Sequence, residues 1–267
     1  MRCARDHDQS HPLSVCTAAE TVARPARGRH TLLGMRIDVW SDILCPFCHL
    51  GRRHLELALA DFPQRDEIDV VWHSFELDHG AEAMTQVPNI ERVADKYGMS
   101  VEQAHSQHEQ MARTAAEVGL DFRWDLARGG NSFDAHRVIH FARAQGLEEA
   151  VTARIMRAWY TEGEAIDDHA TLIRLGVEAG LDEAEVSALL DGDDCGFQVR
   201  EDEALAAEIG ISSVPTFVLD QKYAVVGAQP VPVLRNAIAQ VWELQGTEPE
   251  PAGAGGCGCG GCGCGAG

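Results

Sequence analysis

A quartet, Cys45-Pro46-Phe47-Cys48, stands between a short β-branched and aromatic run (Ile37, Val39, Trp40) and an apolar-periodic helix carrying Leu50, Leu55, Leu57 and Leu59. A C-x-x-C pair also occurs in zinc ribbons, but a zinc site needs a second thiol or imidazole pair at matching distance, and none lies nearby in the chain. At the first turn of a helix a cysteine faces backbone N–H groups that lack internal partners, and the positive end of the helix dipole favours thiolate over thiol. Cys45 is therefore the expected nucleophile. Cys48, one turn deeper and shielded, is close enough to attack a mixed disulfide formed on Cys45 and is the expected resolving thiol. Pro46 suits the first helical positions, where its missing N–H costs nothing. Two inert cysteines at a helix start are the competing reading, disfavoured by the strand before and the helix after.

A second element lies far along the chain. In Gly210-Ile211-Ser212-Ser213-Val214-Pro215-Thr216-Phe217-Val218-Leu219 a proline stands at the mouth of an apolar, β-branched run. Proline cannot donate to a strand ladder, so it belongs at a strand's first residue or in a special turn. The residues leave two forms open. If the Val214–Pro215 bond is cis, the Val214 backbone turns outward, where it can pair with an extended substrate; if trans, the proline simply opens an edge strand.

Taken together, the strand-CPFC-helix unit, the VPTF element, and the segments Asn131-Ser132-Phe133-Asp134-Ala135-His136-Arg137 and Tyr223-Ala224-Val225-Val226-Gly227-Ala228-Gln229 resemble the DsbA family of thioredoxin-like oxidoreductases, in its FrnE-like subgroup. The likeness runs from about Met35 to about Leu244. It implies an α/β thioredoxin fold with an inserted all-helical domain, a cis bond before Pro215, and dithiol–disulfide exchange at Cys45 and Cys48. Pro46, Phe47 and Val214 would then touch substrate, Phe47 by apolar contact. The Asn131 to Arg137 segment looks like the family's stretch over the active-site cleft, which makes Asn131 and His136 candidates to line a substrate pocket. A helix cap at Asn131 or Ser132 and an interface histidine are the plainer reading of the same residues. The Pro-Phe dipeptide offers no ionisable group, unlike the Pro-His of the strongly oxidising relatives, so a weaker oxidant is expected. Asp42 and Trp40 precede the motif; a nearby carboxylate raises a thiol pKa and so opposes the dipole.

Hydrophobic content of 45% over 267 residues suffices for a full core. With 42 acidic against 22 basic residues the surface should repel nucleic-acid phosphates and anionic lipid headgroups. No stretch approaches the roughly 20 apolar residues of a membrane span, so a soluble protein without nucleic-acid or membrane partners is expected. Residues 1–34 lack periodicity, and charges interrupt every window in which a secretory h-region of about 7 to 15 apolar residues could lie. They read as a disordered, dispensable extension, with Met35 as an alternative start, and the expected location is the cytoplasm. There the glutathione and thioredoxin pools would hold Cys45 and Cys48 mostly as dithiol.

The expected organisation is the extension (1–34), a first thioredoxin-like half (35–84), the inserted helical domain (85–197), a second half (198–245) and a disordered Gly/Cys-rich tail (246–267). The first half holds a strand, the CPFC helix to about Phe62, and a second strand from Ile68 to Phe75 whose Val70, Val71 and Trp72 suit a buried position. From Asn89 to about Leu190 the pattern is helical, broken at Gly119, near Arg128-Gly129-Gly130, at Gly146 and at Gly180. A helix from about Gln198 to Ile209, a hairpin around Asp220-Gln221-Lys222 and a terminal helix from Val231 to Leu244 complete the fold. His136 and His140 stand four apart, but Arg137 occupies the place where a zincin needs Glu. Trp159 and Tyr160 read as core, and Cys195 as a partly buried lone thiol or a further resolving one.

No cofactor is required for this chemistry. The tail cysteines Cys257, Cys259, Cys262 and Cys264 can close around Zn(II) or Cu(I), can pass disulfides to Cys48, or are incidental to a low-complexity segment. Expected partners are protein or small-molecule disulfides and thioredoxin- or glutathione-type redox donors; a homodimer is left open. Two other classes compete: a glutathione-dependent isomerase or transferase of the 2-hydroxychromene-2-carboxylate isomerase or kappa type, which shares this architecture and needs one nucleophile, and a non-enzymatic metal-binding protein, which leaves CPFC and VPTF unexplained.

Overall fold

The computed structural model describes residues 34–82 and 89–245. Nearly all of the expected extension and the whole tail, with Cys257, Cys259, Cys262 and Cys264, lie outside the described residues. The β-branched run before the cysteines forms β1 (Met35–Ser41), which pairs in parallel with β2 (Ile68–Ser74) and antiparallel with β3 (Thr216–Leu219). β4 (Tyr223–Val226) closes a sheet of order β2-β1-β3-β4. Between β1 and β2 runs α1 (Pro46–Ala60), and after β4 comes α9 (Val231–Gln245). Leu55, Ala58 and Leu59 of α1, Leu234, Ile238 and Val241 of α9, and Ile37, Val39, Phe217 and Leu219 of the sheet form one core. Each fully buried aliphatic side chain there contributes roughly 1.5–3 kcal/mol over exposure.

Inserted between β2 and β3 are α2 (Asn89–Tyr97), α3 (Val101–Glu117), α4 (Phe133–Ala144), α5 (Glu148–Arg157), α6 (His169–Glu178), α7 (Glu183–Asp191) and α8 (Gly196–Glu208). This is a thioredoxin fold with an inserted all-helical domain. Local signals set several helix starts: Ser100 and Gln103 form a reciprocal capping box at α3, and Asp168 and Asp182 cap α6 and α7. The helices bury a second core that includes Val138, Ile155, Tyr160, Leu172, Val186 and, from the loop after β1, Ile43. The loop carrying the cysteines is thus anchored in both cores.

Two sequence expectations need correction. Val70, Val71 and Trp72 are half-buried, because β2 is the sheet edge rather than an interior strand. That edge is covered instead: Arg143 donates to the Trp72 carbonyl, and the Arg52 guanidinium lies 5.4 Å over the Trp72 ring. The helical stretch is also broken at Gly98, between α2 and α3, and α5 runs into a π-helical turn, Ala158–Glu162, that periodicity does not signal.

Side chains one residue out of phase with the core face point from β1 and β2 toward α8. There His73 bridges Asp38 at 2.8 Å and Asp202 at 2.7 Å, and Asp202 also takes the Ser74 N–H at 2.8 Å and faces His140 at 3.1 Å. Trp40 stacks on His73 and donates its indole N–H to the Asp202 carbonyl at 3.0 Å. Burial opposes the charge on His73, but the two carboxylates outweigh it and raise the pKa above the ordinary 6.5. This pair's contribution is therefore complete below about pH 6.5 and is lost as pH rises through the elevated folded value. Asp38 and Asp202 are desolvated too, yet their partners hold both below the ordinary 3.8, so their contribution fades as pH falls through those lowered values. Urea midpoints should fall between roughly pH 6 and 9 in the wild type and lose that slope in His73→Gln; a flat wild-type profile would contradict the assignment. Asp202→Ala, which leaves buried His73 with one of its two carboxylates and takes the acceptor from the Ser74 N–H, should lose about 3 kcal/mol in the same assay.

Candidate active site

Cys45 is the N-cap of α1, with Pro46 at the first helical position, and its carbonyl accepts the N–H of Cys48 at 2.9 Å and of His49 at 3.2 Å. No disulfide joins the two cysteines. Cys45 is 4% exposed and Cys48 is fully buried, whereas Phe47 between them is 52% exposed. Cys48 Sγ accepts the Asp42 N–H at 3.4 Å. Burial, reinforced by the adjacent Cys45, pushes the Cys48 thiol well above its ordinary pKa, so at neutral pH it is a protonated thiol.

Opposite Cys45 stands the Val214–Pro215 turn. The peptide bond is cis, and Cys45 Sγ lies 3.8 Å from the Val214 carbonyl oxygen. Three contacts fix this turn. Gly227, in the left-handed region at φ 83°, donates its N–H to the Pro215 carbonyl at 2.8 Å. Two residues on, the Gln229 carbonyl accepts the His54 Nδ1–H of α1 at 2.8 Å. The Pro215 ring packs on Gly51, where a Cβ would come within 2.8 Å of Pro215 Cγ and 3.3 Å of Phe217 Cζ. Gly51 is a site residue that sequence reasoning misses; its only signal is a glycine inside an apolar helix one turn after the dithiol.

Behind the thiols lies a buried polar group. Asp42 accepts the Leu44 N–H at 3.1 Å and the Leu77 N–H at 2.8 Å, and His136 Nε2 approaches it at 3.6 Å. Burial would raise its pKa, but His136 and the two amides hold the carboxyl below its ordinary value. Tyr160, carried inward by the π-helical turn, is fully buried and stacks on His49 with ring centroids 4.6 Å apart. Its hydroxyl has no hydrogen-bond partner among the described residues. Burial, with Cys45, Cys48 and Asp42 close by, pushes that hydroxyl well up, while burial and Arg52 lower His49 to about 4, leaving its ring neutral. Tyr160 is core, as its sequence suggests, and also the floor beneath the thiols.

Cys45, Pro46 and Phe47 open onto a cavity of about 580 Å³ walled by Leu44, Met111, Phe122 and Trp159 among others. Asn131 and His136 are not on its wall, which Gly130 and Ser132 supply instead. The Asn131 side chain accepts the Phe133 N–H at 2.7 Å and donates to the Ala81 carbonyl at 3.2 Å, tying the start of α4 to the loop after β2. His136 and His140 diverge, one to Asp42 and the other to Asp202. Trp40 is committed to His73 and Asp202 rather than to the thiols. Cys195 caps α8 at φ 62° and packs against the helical core. Among the described residues one grouping could hold a metal, Glu76, His79 and Glu203, but the Arg200 guanidinium already pairs with both carboxylates.

A sheet-anchored dithiol at a helix N-terminus, facing a cis-proline turn, defines a thioredoxin-like site. The chain belongs to the DSBA-like thioredoxin domain family, which matches residues 36–239. It is 26% identical over 209 residues to the uncharacterized protein YwbO of Bacillus subtilis, covering 77% of this chain and 96% of that protein. A probable DsbA oxidoreductase from Streptomyces coelicolor, known by crystal structure, is similar with a TM-score of 0.74 and 41% identity over 78% of this chain and 90% of the other. A 2-hydroxychromene-2-carboxylate isomerase shares the fold alone, with a TM-score of 0.58 and 17% identity over 79% and 98% of the two chains.

Gly51→Ala gains about 1 kcal/mol of helix propensity but drives a methyl into a proline ring that cannot rotate away. The expected net is a loss of roughly 1–3 kcal/mol in urea unfolding, with slower thiol–disulfide exchange. An unchanged or raised midpoint with wild-type exchange would show that the Pro215 turn is not held by this contact.

Proposed function

We propose that this protein is a thiol-disulfide oxidoreductase in which Cys45 is the nucleophile, Cys48 the resolving thiol, and the Val214–Pro215 turn, with Pro46 and Phe47, the surface that receives substrate. The observation that carries the reading is Cys45 Sγ set 3.8 Å from the Val214 carbonyl with Cys48 buried directly behind it. In the reductive direction the Cys45 thiolate attacks a substrate disulfide, forming a mixed disulfide and expelling one substrate thiolate. Cys48 then gives up its proton and attacks Cys45 Sγ, releasing the second substrate thiol and closing the Cys45–Cys48 disulfide. Two electrons have passed from the dithiol to the substrate.

Burial of Cys48 suits this order, since a shielded, protonated thiol attacks nothing until a mixed disulfide forms beside it. We place the protein in the cytoplasm, where glutathione- or thioredoxin-type donors keep the pair reduced and favour reductase or isomerase work over oxidative folding. The alternative is a glutathione-dependent isomerase or transferase, supported by the cavity that opens at Cys45. That chemistry uses one nucleophile and has no need of Cys48. We assign Asn131 and His136 a positioning role, His136 through Asp42 and Asn131 at the start of α4.

Insulin reduction with a thiol donor separates the two readings. Activity should drop to background in Cys45→Ser, and Cys48→Ser should accumulate mixed disulfides with substrate. No insulin reduction by the wild type, with no trapped adduct in Cys48→Ser, would move the assignment to the isomerase.

A further inference from the structure

The chain carries 42 acidic against 22 basic residues, a formal net charge of −20. In such a background a cation readily finds a carboxylate, and the described Arg and Lys side chains mostly do. Among the described residues the exceptions are Arg65, on a short turn before β2, and Arg92, Lys96 and Arg128. The last three all line the cavity at Cys45, although they come from α2 and from the loop before α4. Lys96 donates to the Leu77 carbonyl at 3.2 Å and has no carboxylate. Two carboxylates share the wall. Asp42 is committed to two backbone N–H groups and His136, and Asp78 accepts the Gly80 N–H at 3.2 Å.

Three cations without an ion pair line one cavity, against two carboxylates already taken up by backbone N–H groups, and they describe a place for negative charge. Guanidinium groups bind carboxylates through paired N–H donors, and Lys adds a point charge. The rest of the wall, with Leu44, Met111, Phe122 and Trp159, calls for an apolar body. A volume of about 580 Å³ suits a small organic molecule rather than a folded chain. Cys45 lines the same space, so a molecule held there lies against the residue that carries the reacting sulfur.

We infer that the cavity is a substrate site for low-molecular-weight disulfides, and their thiols, that carry an apolar body and carboxylates, bound by Arg92, Lys96 and Arg128 against Cys45. The inference rests on the disulfide-exchange reading and narrows its substrate class. Cys45 breaks the substrate S–S bond, keeping one half as a mixed disulfide and releasing the other as a thiolate. Cys48 breaks the mixed disulfide, releases the second half, and closes the protein disulfide. The two protons of the protein dithiol end on the two released thiols, and a single turnover needs no further reductant.

Two aromatic disulfides of similar reactivity test this with the full chain, reduced and freed of reductant. Dithiobis(nitrobenzoate) carries two carboxylates, and dithiodipyridine is uncharged at neutral pH. Single-turnover rates at Cys45 are obtained by subtracting the reaction of Cys45→Ser, because other thiols also react. The Arg92→Ala/Arg128→Ala variant should slow the anionic probe about tenfold or more while changing the neutral probe less than about twofold, and added salt should do the same to wild type. Equal effects on both probes, or none on either, would overturn the anion site while leaving disulfide exchange intact. Failure of both probes to close the Cys45–Cys48 disulfide in wild type would instead overturn the oxidoreductase reading, and this inference with it.

Discussion

Contact between Pro215 and Gly51 governs the geometry of the site. The proline turn and the dithiol helix come from opposite ends of the chain, and their separation is set by how closely a ring can approach a helix backbone. Only a residue without Cβ lets Pro215 Cγ come as near as it does, and that approach puts the Val214 carbonyl beside Cys45. The Gly227 N–H on the Pro215 carbonyl and the His54 contact to Gln229 hold the same turn from the other side. On the disulfide-exchange reading proposed above, a backbone edge fixed this firmly meets substrate without first ordering itself, which lowers the entropic cost of aligning reactants.

The rest of the fold supports that contact by trapping the cysteine loop between two cores. Ile43 belongs to the helical core, Leu55 and Leu59 of α1 belong to the sheet core, and Asp42 ties the loop to the backbone after β2 and to α4 through His136. The inserted helices therefore do more than cover the sheet. They supply Tyr160 as the floor behind the thiols, and α2 and α3 among them build a wall that would be absent from the sheet alone. Across the sheet, the His73, Asp38 and Asp202 cluster fastens β1 and β2 to α8.

Much of this was legible in the chain. β-branched runs mark all four strands, because a pleated, half-buried surface selects them, and Cys45 and Cys48 announce their place at the start of α1 through the strand before and the leucine period after. The edge position of β2 was not legible, since Val70, Val71 and Trp72 read alike in an interior or a covered edge strand. Gly51 was hidden for a similar reason: a glycine inside a helix reports a close approach without naming the partner, and Pro215 lies far along the chain. His136 stands off the cavity wall because whether a side chain on α4 reaches the wall depends on the helix's rotation, which local sequence does not fix, and Asn131, in the loop before α4, is taken up by the Phe133 N–H and the Ala81 carbonyl. That Arg92, Lys96 and Arg128 line one cavity without an ion pair among the described residues depends on where the fold brings α2 and the loop before α4, which no local pattern shows.

The central claim is that Cys45 and Cys48 act as one redox unit. Its most direct test is to treat the reduced wild-type chain with a single equivalent of a small disulfide, quench in acid and map the cysteines by mass spectrometry. Disulfide exchange predicts an internal Cys45–Cys48 disulfide with no substrate retained at either position. A lasting adduct on Cys45 beside a free Cys48 thiol would contradict the account and describe a single-nucleophile enzyme instead.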